Sequence, residues 1–127
     1  MARTIAGALL AMAVMLAGCA TSEPVDPGLI PLATSRAGMF DSACPAALLE
    51  GMLIAHPATG SAIAGDPRPI PIIWPFGFRG RRTGVVLEIL DRSGAIVARS
   101  GESIRLSGGE ITGDGQWSTC GPPLGPG

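Results

Sequence analysis

Glycine and proline cut this chain into short pieces. Nineteen Gly and twelve Pro are spread through 127 residues, whereas Trp and Phe together number only five and Tyr is absent. Proline lacks an N–H and glycine loses the most conformational freedom on ordering, so neither suits a helix interior. A chain punctuated in this way is suited to short strands joined by tight turns around a modest core.

The strand pattern is clearest in the second half. Val85–Leu90 is an apolar run with Val85, Leu87 and Ile89 expected toward the core. Asp91-Arg92-Ser93-Gly94 reads as a hairpin turn, Gly94 supplying a positive φ, and Ala95–Ser100 as the returning strand. After a turn at Gly101-Glu102, Ser103–Ser107 alternates with Ile104 and Leu106 inward. Gly108-Gly109 permits a bulge or sharp bend, Glu110–Thr112 a continuation, and Gly113-Asp114-Gly115 a turn before Trp117. Upstream, Leu48–His56 reads as a strand ended by Pro57, with Leu49, Gly51, Leu53 and Ala55 on one face, and Gly60–Ala64 as a short second strand. Ile70, Ile72 and Ile73 are interleaved with Pro69, Pro71 and Pro75, which points to an edge strand or an extended segment, because proline cannot donate to a ladder. Five or six short strands with turns every 8–12 residues fit a small antiparallel barrel or sandwich, and the OB-like barrel is the first expectation.

Charge narrows the partners. The nine basic residues are all Arg, against ten acids. Removing residues 1–18 takes away only Arg3 and leaves eight against ten, or −2, the opposite of the basic surplus of a nucleic-acid binder.

The amino-terminal segment carries an address. After Arg3, residues Ile5–Ala17 run 13 residues without charge, short of the roughly 20 needed to span a bilayer but right for a signal-peptide apolar region. Leu16-Ala17-Gly18-Cys19 follows and resembles the lipobox of bacterial lipoproteins. That resemblance implies cleavage after Gly18, a diacylglycerol on the Cys19 thiol and acylation of the new terminus, palmitate being the typical chain. Two or three chains hold a protein stably on a membrane where one does not. The implied location is extracytoplasmic, on the outer face of the cell membrane, or on the outer membrane of a cell with two. The mature part is similar to small lipoproteins whose sequences supply no role.

On that reading Cys19 is consumed by lipid, and Cys44 and Cys120 remain, an even pair in an oxidising compartment. The expectation is one disulfide closing a loop of more than 70 residues; two free thiols or an intermolecular bridge are the alternatives. The expected organisation is a signal-peptide helix over 1–18, a lipidated Pro-rich tether over 19–38, a small β domain over 39–121 and a loose tail over 122–127.

One segment concentrates recognition chemistry. Trp74-Pro75-Phe76-Gly77-Phe78-Arg79-Gly80-Arg81-Arg82 holds one of the two Trp, two of the three Phe and three of the eight mature Arg, and reads as a loop between strands. Aromatic rings beside guanidinium groups stack on flat groups and pair with carboxylate or phosphate. The bland alternative is that Trp74, Phe76 and Phe78 cap an open barrel end while Arg79, Arg81 and Arg82 keep the segment soluble. No catalytic constellation accompanies it. His56, the only His, stands at a strand end before Pro57, Glu50 and Glu88 could pair only if their strands were neighbours, and there is no Gly-x-Ser-x-Gly elbow. Two Cys and one His fall short of a zinc site, and no cofactor is expected. The reading is a non-catalytic, membrane-anchored module that binds an envelope protein, a glycan or another anionic polymer; the alternative is a structural envelope lipoprotein without a specific ligand.

Overall fold

The computed structural model describes residues 28–111 and 113–125, so the signal peptide and Cys19 lie outside the described residues. Nine strands follow one another: β1 (Leu29–Ile30), β2 (Ala47–His56), β3 (Gly60–Ile63), β4 (Ile70–Ile73), β5 (Arg79–Thr83), β6 (Val86–Leu90), β7 (Ile96–Arg99), β8 (Ser103–Gly109) and β9 (Trp117–Thr119). Five of them close a barrel in the order β2-β3-β4-β9-β8, and the other four form a sheet in the order β1-β5-β6-β7. Counted along the chain, the barrel strands lie first, second, third, fifth, fourth, with fourth closing on first and only third and fifth (β4 and β9) parallel. This is the connectivity of an OB-like barrel, the architecture expected from strand count, although the sequence did not indicate the strand order and two of the strands it shows most clearly, β6 and β7, lie in the second sheet.

β2 shows how so short a chain closes a barrel. Its first half pairs with β8, from Ala47 against Gly108 to Met52 against Ser103; its second half pairs with β3, from Leu53 against Ile63 to His56 against Gly60. The changeover falls between Met52 and Leu53, next to Gly51, where a Cβ would run into the Ile63 side chain. A residue without a side chain makes room for Ile63 at the changeover, and one ten-residue strand pairs with both of its barrel neighbours.

Three strands of the four-stranded sheet, β5, β6 and β7, are inserted between β4 and β8, and β1 joins them from ahead of the barrel. The inserted hairpins leave the barrel after Ile73 and re-enter at Ser103. Leu53, Ile63, Ile72, Ile104 and Leu106 from the barrel and Leu87, Ile89 and Ala98 from the sheet meet Trp74 and Phe78 in a single core. The sheet therefore covers the barrel with an apolar face and shares its core.

Several sequence expectations are corrected. The Pro-rich Ile70–Ile73 stretch is no edge: β4 lies between β3 and β9. Pro71 costs one donor, and because the pairing with β9 is short, the missing N–H is tolerated. Val85 does not face the core; it is 92 % exposed, because Gly84 at φ 61° turns the chain in a two-residue hairpin between Thr83 and Val86. Strand β8 runs through Gly108-Gly109, where a bend was expected, and stops there. A Cβ on Gly108 would collide with the Ser118 carbonyl, so the two glycines serve the close approach of β9. The segment expected to be a spacer joins the fold from Gly28 onward: β1 pairs with β5, and Thr34 forms a parallel bridge with Trp74. The tail is tied as well, the Leu124 N–H donating to the Arg105 carbonyl at 2.8 Å.

Cys44 and Cys120 form a disulfide, with Cα atoms 5.9 Å apart and 76 residues of separation. The bridge joins the approach to the first barrel strand with the end of the last one.

Candidate functional site

The Trp74–Arg82 segment divides into three environments, and only part of it is a loop. Trp74 is fully buried; its indole N–H donates to the Ser61 hydroxyl at 2.7 Å. Phe78 is buried beside it, the ring centroids 6.0 Å apart and nearly parallel. These two rings belong to the core that joins barrel and sheet. A Trp this deep needs a polar partner, and Ser61 on β3 supplies it.

Arg79, Arg81 and Arg82 lie on β5, not on a loop. Strand alternation separates them. Arg81 points to the outer face of the sheet, in a row that crosses from Leu29 on β1 through Arg81 and Glu88 to Arg99 on β7. Glu88 is the centre of this row. It accepts from the Thr83 hydroxyl at 2.6 Å and from Arg81 Nε at 3.2 Å, and lies 3.4 Å from Arg99 Nε. The Thr83 hydrogen bond first, then Arg81 and Arg99, hold the Glu88 carboxyl below its ordinary value against the opposing effect of burial. Arg81 is thereby engaged in structure. Glu50 does not meet Glu88: it pairs instead with Arg105 across β2 and β8 at 2.8 Å. The two carboxylates make no acid–base pair.

Arg82 leaves the opposite side of β5 and is exposed. With Ile30, Pro31 and the Ala55–Ala58 turn it borders a cleft of about 410 Å³ that also contains His56. The His56 ring is tied to its own turn, Nδ1 lying 3.2 Å from both the Ala58 N–H and the Thr59 hydroxyl.

Phe76 is what remains of the aromatic loop at the surface. It is 49 % exposed, in the tight turn between Trp74 and β5, and the Arg92 guanidinium lies over its ring at 5.8 Å from the centroid. Gly77, at φ 86°, turns the chain directly under the Arg92 side chain, where a Cβ would collide with it. Arg92 itself is held by the Asp91–Gly94 turn, in which Asp91 accepts from the backbone N–H groups of Ser93 and Ala95. Phe76 and Arg92 form one wall of a cleft of about 230 Å³ whose other wall includes Arg36, Phe40 and Asp41. Two guanidinium groups against one carboxylate leave this cleft with a net positive charge.

Sequence reasoning missed Arg36 and Arg92 as partners of Phe76. Arg36 lay in the supposed spacer, and Arg92 was absorbed into a hairpin turn. The β6–β7 turn packs Arg92 against Phe76 and Gly77, and the bridge of Thr34 with Trp74, with the Ser35 N–H donating to the Trp74 carbonyl, brings Arg36 alongside.

Among the described residues, no three His, Cys, Asp or Glu side chains converge as a metal site would require. No family model, curated protein or solved structure matches the chain.

Proposed function

We propose that this chain is a lipid-anchored, extracytoplasmic binding module, and that the Phe76–Arg92 cleft is where it takes its ligand. The observation that carries the reading is an exposed aromatic ring held under a guanidinium group and faced by a second Arg, in a protein that buries the neighbouring Trp74 and Phe78. A ring and two cations suit a partner with a flat apolar face and an anionic group, such as an acidic glycan, another anionic envelope polymer or an acidic protein segment. The disulfide supports an oxidising location, and the lipobox resemblance of residues 16–19 supports the anchor on Cys19.

The test uses the mature chain with Cys19→Ala, mixed with an isolated envelope fraction. Phe76→Ala and the pair Arg36→Ala with Arg92→Ala are each expected to lower association several-fold while thermal unfolding changes little. Unchanged association in both would reject the cleft. It would leave a structural lipoprotein without a ligand, a reading favoured by the burial of Trp74 and Phe78 and by the ion pairing of Arg81.

A further inference from the structure

The membrane anchor leaves the domain at a particular place. β1 runs antiparallel to β5, with Leu29 against Arg81 and Ile30 against Gly80, and the Arg82 N–H donates to the Gly28 carbonyl at 2.7 Å. Continuing from Ile30 back through Gly28 therefore moves along β5 from Gly80 past Arg82, in the direction of the Gly84-Val85 hairpin tip. Nine residues, 19–27, separate the described domain from its Cys19 end, a reach of at most about 30 Å.

That tip has an unusual surface. Val85 is 92 % exposed, and Leu29 is also exposed on the adjoining β1. Arg82 makes no ion pair with a carboxylate among the described residues, whereas Arg81, one position away on the other face, is bound to Glu88. No packing or pairing within the described residues explains an aliphatic side chain held at the end of a two-residue turn beside a free cation. The ligand cleft of Phe76 and Arg92 lies at the opposite end of β5, before Arg79, so the tip and the cleft point to different neighbours.

We propose that the β5–β6 hairpin tip contacts the membrane that holds the anchor, Val85 entering the headgroup region and Arg82 pairing with the phosphates of anionic phospholipids. The inference rests on the lipid-anchored reading. The short tether keeps the tip at the membrane surface, so a contact too weak to recruit a free domain still fixes the orientation of a tethered one. The domain would then stand with its Phe76 cleft directed away from the lipid.

The experiment places an indole at the tip of the acylated protein, as Val85→Trp in a Trp117→Phe background, reconstituted in vesicles of phosphatidylglycerol and phosphatidylcholine. Trp74 is buried and serves as a constant background. Emission from the tip indole is expected to shift to the blue and to be quenched several-fold more by brominated acyl chains than that of Ala95→Trp, which sits at the far turn of the sheet. Adding Arg82→Glu, or replacing phosphatidylglycerol by phosphatidylcholine, is expected to remove most of the difference. Equal quenching at 85 and 95, or a tip indole that stays in water on a protein whose mass shows its acyl chains, overturns the tip contact alone. A protein lacking that mass overturns the anchor and the contact with it.

Discussion

At the residue scale, burial decides the roles of side chains that look alike in sequence. Arg81 and Arg82 are neighbours, yet one closes an ion-pair row with Glu88 and Arg99 and the other borders a cleft without an ion pair among the described residues. Glu88 yields a pH prediction. Its carboxyl titrates below the ordinary value of 4.5 because the Thr83 hydroxyl and the two guanidinium groups favour the charged form. The unfolded chain therefore takes up a proton at higher pH than the folded one. The stabilisation from Glu88 is complete above about pH 4.5 and is lost as the pH falls through the lower folded value. Glu88→Gln is expected to lower the Tm at neutral pH, with the gap to the parent protein closing in acid. Thermal unfolding followed from neutral to acidic pH checks this, and a gap that does not vary with pH would argue that Glu88 acts only through its shape. The same scale explains why Trp74 and Phe76 were indistinguishable in sequence: both precede β5 in one short aromatic stretch, and only the Ser61 hydroxyl and the Arg92 guanidinium tell them apart.

At the element scale, the strands follow from alternation and turn chemistry, and their errors have local causes. Leu87 with Ile89, and Ile104 with Leu106, are buried as their period of two requires. Val85 broke the pattern because Gly84 set the turn one residue later than the apolar run suggested. Ile70–Ile73 broke a rule about proline, since a strand of four residues needs few donors to stay inside a barrel. Gly108 is the element on which closure depends. It pairs with Ala47 on one side and Thr119 on the other, and a Cβ there meets the Ser118 carbonyl, which is backbone and cannot swing away. Gly108→Ala is expected to cost about 3 kcal/mol or more by forcing β8 and β9 apart. Urea denaturation measures it, with Gly113→Ala, which has open space at its Cβ position but a φ of 71°, as a comparison for backbone strain without a clash. A Gly108 variant no worse than the Gly113 variant would mean that β9 shifts at little cost.

At the scale of the whole molecule, a small barrel and the four-stranded sheet share one core, and a single covalent link closes the circuit of the chain. The disulfide spans 76 residues, and chain-entropy arithmetic assigns a loop of this length about 4 kcal/mol. That is a large share of the net stability of so small a protein. Reduction, or Cys44→Ala with Cys120→Ala, is expected to lower the denaturation midpoint by a corresponding amount while the barrel signature persists in water at low temperature; an unchanged midpoint would place the stability entirely in the core. From the sequence alone come the all-β class, a small barrel as the first expectation, the pairing of Cys44 with Cys120 once Cys19 is set aside on the lipobox resemblance, and the inward faces of Leu87, Ile89, Ile104 and Leu106, because strand alternation and turn residues act over a few positions. Tertiary structure decided that Gly28–Ser35 belongs to the fold, that Trp74 and Phe78 are core, that Arg36 and Arg92 converge on Phe76, and that Val85 is a tip. Each of those depends on which segments meet across tens of residues, and such meetings are selected by the packing of the whole core rather than by any local preference.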